Sequence, residues 1–118
     1  MRNLVRVLKS LSDETRLRML NMLFERECCV CEIMQVLALS QPRASHHLIV
    51  LHNAGLLKMR RQGLFALYSI DWANMETCAE ELVRVVRNGL AGNDQAVADL
   101  RKLATAQRLL PDCAVKIQ

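Results

Sequence analysis

Three thiols fall within four residues at Cys28-Cys29-Val30-Cys31. Thiolates are soft ligands, so this run suits a soft metal ion, or thiol oxidation if no ion is held. A single free cysteine is often just a small buried residue. Three together at the start of a helical segment point to chemistry, because the positive end of a helix lowers thiol pKa. Thiol exchange chemistry of an enzyme or carrier would also use Cys29 and Cys31, but no βαβ context and no base accompany them. The expectation is therefore a binding or sensing site, not an enzyme.

Spacing adds a geometric condition. Residues two apart in an ideal helix are rotated by about 200°. Cys29 and Cys31 would then point apart, and one ion holds both only if the helix start unwinds. Cys28 and Cys31, three apart, share a side. Two adjacent histidines, His46 and His47, sit about 100° apart on a helix and do not share an ion. His47 leans toward the core as a partly buried residue, and His52 toward the surface.

The elements that must position these groups follow from periodicity and capping signals. Leu4, Val5, Leu8 and Leu11 recur at helical spacing. Ser12 and Asp13 cap a second helix, Glu14 to Phe24, with Leu17, Leu20 and Phe24 on one stripe. A third helix covers Val30 to Leu37. Ala38-Leu39-Ser40 is a tight connection, and Ser40 caps a fourth helix with Pro42 in its first turn. Ala44, Leu48 and Leu51 form its inward stripe, and Gly55 is its stop. Leu57 to Arg61, a turn at Gln62-Gly63, and Leu64 to Ile70 read as a β-hairpin. Asp71 is expected to cap a long helix, Trp72 to Asn88. Gly89 to Asn93 reads as a linker, and a last helix runs from Asp94 to Leu110, where Pro111 stops it. The fold class is mainly α with a small β-hairpin, and two short-linked helices followed by a hairpin make a winged helix-turn-helix plan. Residues 1–110 are read as one domain and 111–118 as a flexible tail.

The fourth helix is the reading element of such a plan. Gln41, Arg43, Ser45 and His46 cluster at its N-terminal end, where base edges are met. Gln pairs with adenine and Arg with guanine or phosphate. The hairpin adds Lys58, Arg60, Arg61 and Gln62 as a basic wing, with Arg26 expected nearby. Arg60 and Arg61 point to opposite sides of a strand, so only one reaches DNA easily.

Composition agrees with this plan. The chain has 118 residues, 52% of them hydrophobic, with one Trp, one Tyr and two Phe. Aliphatic dominance favours helices. Sixteen basic against twelve acidic residues leave +4, so the placement of charge matters more than its sum. No run approaches the roughly 20 apolar residues of a membrane span. Arg2, Arg6 and Lys9 break the N-terminus, so no signal peptide is read. A cytoplasmic location follows, and there five cysteines suggest ligand or redox roles rather than disulfides.

Several segments together resemble the ArsR/SmtB family of metal-responsive repressors. They are Ser12-Asp13-Glu14-Thr15-Arg16-Leu17-Arg18-Met19-Leu20, Cys29-Val30-Cys31-Glu32, Ser40-Gln41-Pro42-Arg43-Ala44-Ser45-His46-His47-Leu48, and Arg61-Gln62-Gly63 with Tyr68. The resemblance implies a homodimer through the segments Leu4 to Leu11 and Trp72 to Asn88. It also implies a repressor that binds operator DNA when metal-free and releases it when metal binds. Cys29-Val30-Cys31 resembles the inducer site of arsenite- and cadmium-responsive members. Trivalent arsenic and antimony favour three thiolates, and As(III) or Sb(III) is the inducer implied. Arsenite repressors of the family carry a further cysteine where this chain has Met34. The third thiolate is then Cys28, Cys113 or Cys78, with Cys78 better read as a small core residue of the dimer helix. No cysteine precedes Cys28 and no histidine follows His52, which departs from the cadmium and zinc patterns. Chelation is expected to distort the start of the third helix and so misplace the reading helix. A thiol-based redox-sensing repressor and a thiol carrier that does not bind DNA are the alternatives.

Overall fold

The computed structural model describes residues 1–109. Asp13 and Ser40 cap helices as the sequence predicts, and Asn93 adds a cap that was not expected. Asp13 accepts the Arg16 N–H at 2.9 Å and opens α2 (Glu14–Glu25), which follows α1 (Arg2–Leu11). Ser40 accepts the Arg43 N–H at the head of α4 (Gln41–Asn53), and Asn93 accepts that of Ala96 at the head of α6 (Asp94–Thr105). Each cap satisfies an N–H that the helix leaves unpaired. Between α3 (Val30–Leu37) and α4 the chain turns at Ala38, whose φ of 54° is left-handed. A side chain in that conformation costs about 1–2 kcal/mol. The turn it makes is what packs α3 against α4.

Strands β2 (Leu57–Gln62) and β3 (Phe65–Ile70) form the expected wing. Gln62 pairs with Phe65, so the two-residue loop is Gly63-Leu64, one position later than the sequence suggests. Gly63 takes φ 60°, which glycine adopts without steric cost in such loops. A third strand, β1 (Cys28–Cys29), completes an antiparallel sheet in the order β1-β3-β2. The expectation that Cys28 and Cys29 open a helix is corrected here. Both are extended, and only Cys31 lies within α3.

Met19, Leu20 and Met22 of α2, Ile33 of α3, and Leu48 and Leu51 of α4 form the fully buried centre, joined by Val83 of α5 (Thr77–Leu90). The helix expected from Trp72 begins only at Thr77. Residues 72–75 make a turn instead, in which Asp71 accepts hydrogen bonds from the Asn74 backbone and side chain. Trp72 leaves that turn to stack on Phe24, with ring centroids 6.2 Å apart. Leu4, Val5 and Leu8 of α1 and Val85 of α5 stay exposed in the single chain.

The last helix also differs from expectation. It stops at Thr105 rather than Leu110, and residues 106–109 continue outside any helix. Pro111 and the tail read as flexible lie outside the described residues. A buried ion pair docks α6 on α2: Asp99, fully buried, takes Arg18 Nε at 2.8 Å and a second Arg18 nitrogen at 2.9 Å. Asn21 adds a hydrogen bond to the Ala96 carbonyl at 3.0 Å.

Candidate nucleic-acid interface and thiol site

Helix α4 presents its polar residues as its periodicity requires. Ala44, Leu48 and Leu51 are fully buried, which turns Arg43 and His46 to solvent. Gln41 and Ser45 are half-buried and joined by a 2.7 Å hydrogen bond, one turn apart. The structure therefore brings Gln41, Arg43, Ser45 and His46 to one end of an outward helix face.

His47 is half-buried, and its role depends on Arg16, which sequence reasoning had not singled out. Arg16 donates to the carbonyls of Ser10 at 2.8 Å and Lys9 at 3.1 Å, and contacts His47 Nδ1 at 3.1 Å. It thus closes the end of α1 and ties it to α4. Arginine only donates, so His47 must be neutral and accept at Nδ1. Burial depresses its pKa below the ordinary 6.5, and the Arg16 charge adds to this against the nearby Asp13. The unfolded chain then binds the proton more tightly. Stability is full above about pH 6.5 and declines as the pH falls through that value. Melting temperatures across about pH 5 to 7 should show the decline, and His47→Gln, which keeps an acceptor, should flatten it. An unchanged slope in that variant would refute the assignment.

The wing divides as its alternation predicts. Lys58, Arg60, Arg61 and Gln62 are all exposed. Arg60, however, is held by Glu27, with nitrogen–oxygen distances of 2.8 and 2.6 Å. The Arg60 hydrogen bond also keeps the Glu27 carboxyl below its usual pKa. Arg61 lies on the other face of β2. Arg26, expected near the wing, turns instead to Glu32 at 2.7 Å. On the reading of the hairpin as a DNA-flanking wing, Glu27→Gln should release Arg60 toward phosphates. The slope of log affinity against log salt should then steepen by about one unit, the signature of one more phosphate contact.

The thiols are sorted by the sheet. Directly paired residues share a face, so Cys29, Leu67 and Arg60 lie in one row and Cys28, Tyr68 and Met59 in the other. Cys28 enters the main core, while Cys29 and Cys31 form a separate buried cluster with Leu67, flanked by Phe65. The wheel argument is thereby reversed: Cys29 and Cys31 come together without any unwinding of α3, and Cys28 faces away. Glu32 completes the turn. Its carboxylate accepts the Cys29 N–H at 2.9 Å, and the Cys29 sulfur stands where a capping oxygen would. Glu32 is buried, which would raise its pKa, but Arg26, the Cys29 N–H and Arg108 hold it low.

Burial decides the thiol acidity. It pushes Cys28 up to about 12 and raises Cys29 as well, so the lowering expected from the helix start is corrected for these two. Cys78, expected in the core, is exposed on α5. Cys113 lies outside the described residues. Among the described residues, no three His, Cys, Asp or Glu side chains are grouped to hold a metal ion. The residues that sequence reasoning missed are Arg16, Glu27, Glu32, Gln35 and Arg108. Only Glu32 had a signal, three positions after a helix cap.

Comparison with known proteins shows similarity in sequence and in fold. A family model described as "Bacterial regulatory protein, arsR family" matches residues 13–59. The chain is 40% identical over 94 residues to the arsenic resistance transcriptional regulator ArsR2 of Pseudomonas putida, covering 79% of this chain and 78% of that one. It is 36% identical over 80 residues to the cadmium resistance transcriptional regulatory protein CadC homolog of Staphylococcus aureus, covering 67% and 66%. Among solved structures, the homodimeric winged helix-turn-helix DNA-binding domain of Mb0332 from Mycobacterium bovis superposes with a TM-score of 0.64. The identity there is 26%, over 79% of this chain and 82% of that one.

Proposed function

Because the chain belongs to the arsR family of bacterial regulatory proteins, we propose that it binds operator DNA as a homodimer and releases it when its thiolates take up trivalent arsenic or antimony. It is a winged helix-turn-helix regulator of transcription, not an enzyme. The observation that carries the metalloid reading is the juxtaposition of Cys29 and Cys31 in one small cluster at the junction of β1 and α3. Reduced and deprotonated, two neighbouring sulfurs suit a soft, three-coordinate ion. The third comes from Cys28 or Cys113, and Cys28 is on the opposite sheet face.

In this reading residues 1–110 are the DNA-binding and dimerisation unit, acting in the cytoplasm. The exposed apolar residues of α1 and α5 cover one another across a dimer axis. Gln41, Arg43, Ser45 and His46 enter the major groove, and the wing of Arg60, Arg61 and Gln62 flanks it, with Arg60 engaged by Glu27. No helix among the described residues is long and apolar enough to cross a membrane.

The chain's own residues supply the coupling. Cys29 belongs to a strand paired with β3 of the wing, and Cys31 to the helix packed on α4. Drawing their sulfurs toward a third thiolate strains the wing and the reading helix together. A difference of about 1–3 kcal/mol between the two states suffices for release.

Fluorescence anisotropy tests this on a labelled DNA fragment from upstream of the coding sequence. Reduced protein should bind it, and arsenite or antimonite should release it at lower concentrations than zinc. Release by cadmium alone would move the assignment to the cadmium class. Release by mild peroxide but not by arsenite would replace it with redox sensing.

A further inference from the structure

The cations of α1 are gathered on one side of the helix and left without acidic partners. Arg2, Arg6 and Lys9 stand at spacings of four and three, so they form one stripe, and α1 carries no acidic residue. All three are exposed. Among the described residues no carboxylate pairs with any of them, whereas Arg18, Arg26 and Arg60 are each taken up by one. Val7 and Ser10 are the buried residues of α1. With about 100° between successive residues, Leu4 and Leu8 fall to one side of that buried line and the three cations to the other. The stripe is therefore a different face from the apolar one assigned above to the dimer.

This cationic face lies along the reading helix. Arg6 donates to the carbonyl of Asn53, the last residue of α4, at 3.5 Å. Toward the other end, Arg16 bridges the Lys9 carbonyl and His47 Nδ1, each at 3.1 Å. Helix α1 thus runs antiparallel beside α4, with Lys9 toward the end that carries Arg43 and His46. Arg2, Val5, Arg6 and Lys9 line an open groove together with Arg16 and Val50. Val50 continues the outward stripe of Arg43 and His46 at helical spacing. The groove has an apolar floor in its two valines and a cationic rim. A deoxyribose-phosphate chain matches both, with sugar carbons on the floor and phosphates on the rim. From Arg2 to Lys9 the helix rises about 10 Å, the axial length of about three phosphates on one DNA strand.

We propose that Arg2, Arg6 and Lys9 form a second contact with the DNA backbone, gripping the strand beside the groove that α4 enters and carrying no base specificity. This rests on the DNA-binding reading above and widens its footprint to an element outside the helix-turn-helix and the wing. Phosphate contacts set position and affinity, and base edges set sequence.

The test is the slope of log affinity against log salt, measured by anisotropy on the labelled upstream fragment and on a scrambled duplex of equal length. Arg6→Ala with Lys9→Ala should lower the slope by about 0.9 for each residue in each protomer, or between 3 and 4 units for a homodimer. The loss of affinity should be the same factor on both duplexes, because no base contact is removed. Arg6→Lys with Lys9→Arg keeps the charges and should keep the slope. Arg101→Ala with Lys102→Ala removes two exposed cations from α6, which packs on α2 and α3, and should also leave it unchanged. Arg2→Ala, whose side chain makes no hydrogen bond among the described residues, should give the same effect at about half the size, without touching the link from Arg6 to α4.

A slope like wild type in the Arg6, Lys9 and the Arg2 variants overturns the proposal and leaves the DNA-binding reading standing. So does a loss on the upstream fragment alone, which would make these residues readers of sequence. Sedimentation of the variants covers the other occupant: affinity lost because the protein falls to monomers would make the stripe a protein interface and overturn the proposal. A wild-type protein that binds neither duplex at low salt removes the DNA-binding reading itself.

Discussion

Replacing Arg18 by alanine is expected to cost about 3 kcal/mol of stability, because it strands a buried carboxylate. Asp99 has no exposed surface, while the Arg18 side chain keeps 26% of its own. The partial exposure of the arginine argues for the lower end of the range for broken buried pairs, since water can partly replace it. Gln95 also donates to Asp99 at 2.9 Å but carries no charge to balance it. Chemical denaturation should show the loss, with a melting temperature lower by on the order of 10 °C. Removing both charges, as Arg18→Ala with Asp99→Ala, should recover part of it, because no unpaired ion then remains. A single-variant loss below about 1 kcal/mol would mean that α6 is not docked by this pair.

On the proposed metalloid reading, the second large effect is on induction. Cys29→Ser with Cys31→Ser should bind DNA with little change yet lose release by arsenite, shifting its midpoint by more than about a hundredfold. The two sulfurs sit in their own small cluster beside Leu67, so their loss spares the main core. Cys28→Ser should behave in the opposite way. Its thiol lies in the main core, where a hydroxyl costs about 1–3 kcal/mol, so stability should fall while induction persists. Parallel measurement of melting and of arsenite release distinguishes the two. If Cys28→Ser abolished release in a folded protein, the division of thiols between sheet faces would be the wrong guide to their roles.

Much of the fold was legible because its signals are local. Asp13 and Ser40 are caps recognisable from the residues that follow them, and the buried stripe of Ala44, Leu48 and Leu51 is set by helical periodicity alone. The wing was legible from its change of period. What stayed hidden depends on residues far apart in the chain. A two-residue strand such as β1 has no pattern of its own and exists only because Cys28 and Cys29 pair with Tyr68 and Leu67. The pairing of Glu27 with Arg60 spans 33 positions, so sequence could show that Arg60 and Arg61 diverge but not which is held. The late start of α5 follows from Trp72 stacking on Phe24, a tertiary contact. The reach of Arg108 back to Glu32, 76 positions away, has no sequence signature at all.

The two-residue length of β1 bears on which changes this chain tolerates. In an extended strand neighbouring side chains alternate, and a slip of one position exchanges the faces. Cys28 points to the core and Cys29 to the small cluster with Cys31 and Leu67 only because Arg26 and Glu27 span the gap from α2 with that number of residues. Many side chains at those two positions would leave the alternation intact. One inserted or deleted residue there would either send Cys29 into the core and Cys28 toward Cys31, or break the pairing with β3. The connector is thus constrained in length more tightly than in identity, the reverse of an ordinary surface loop.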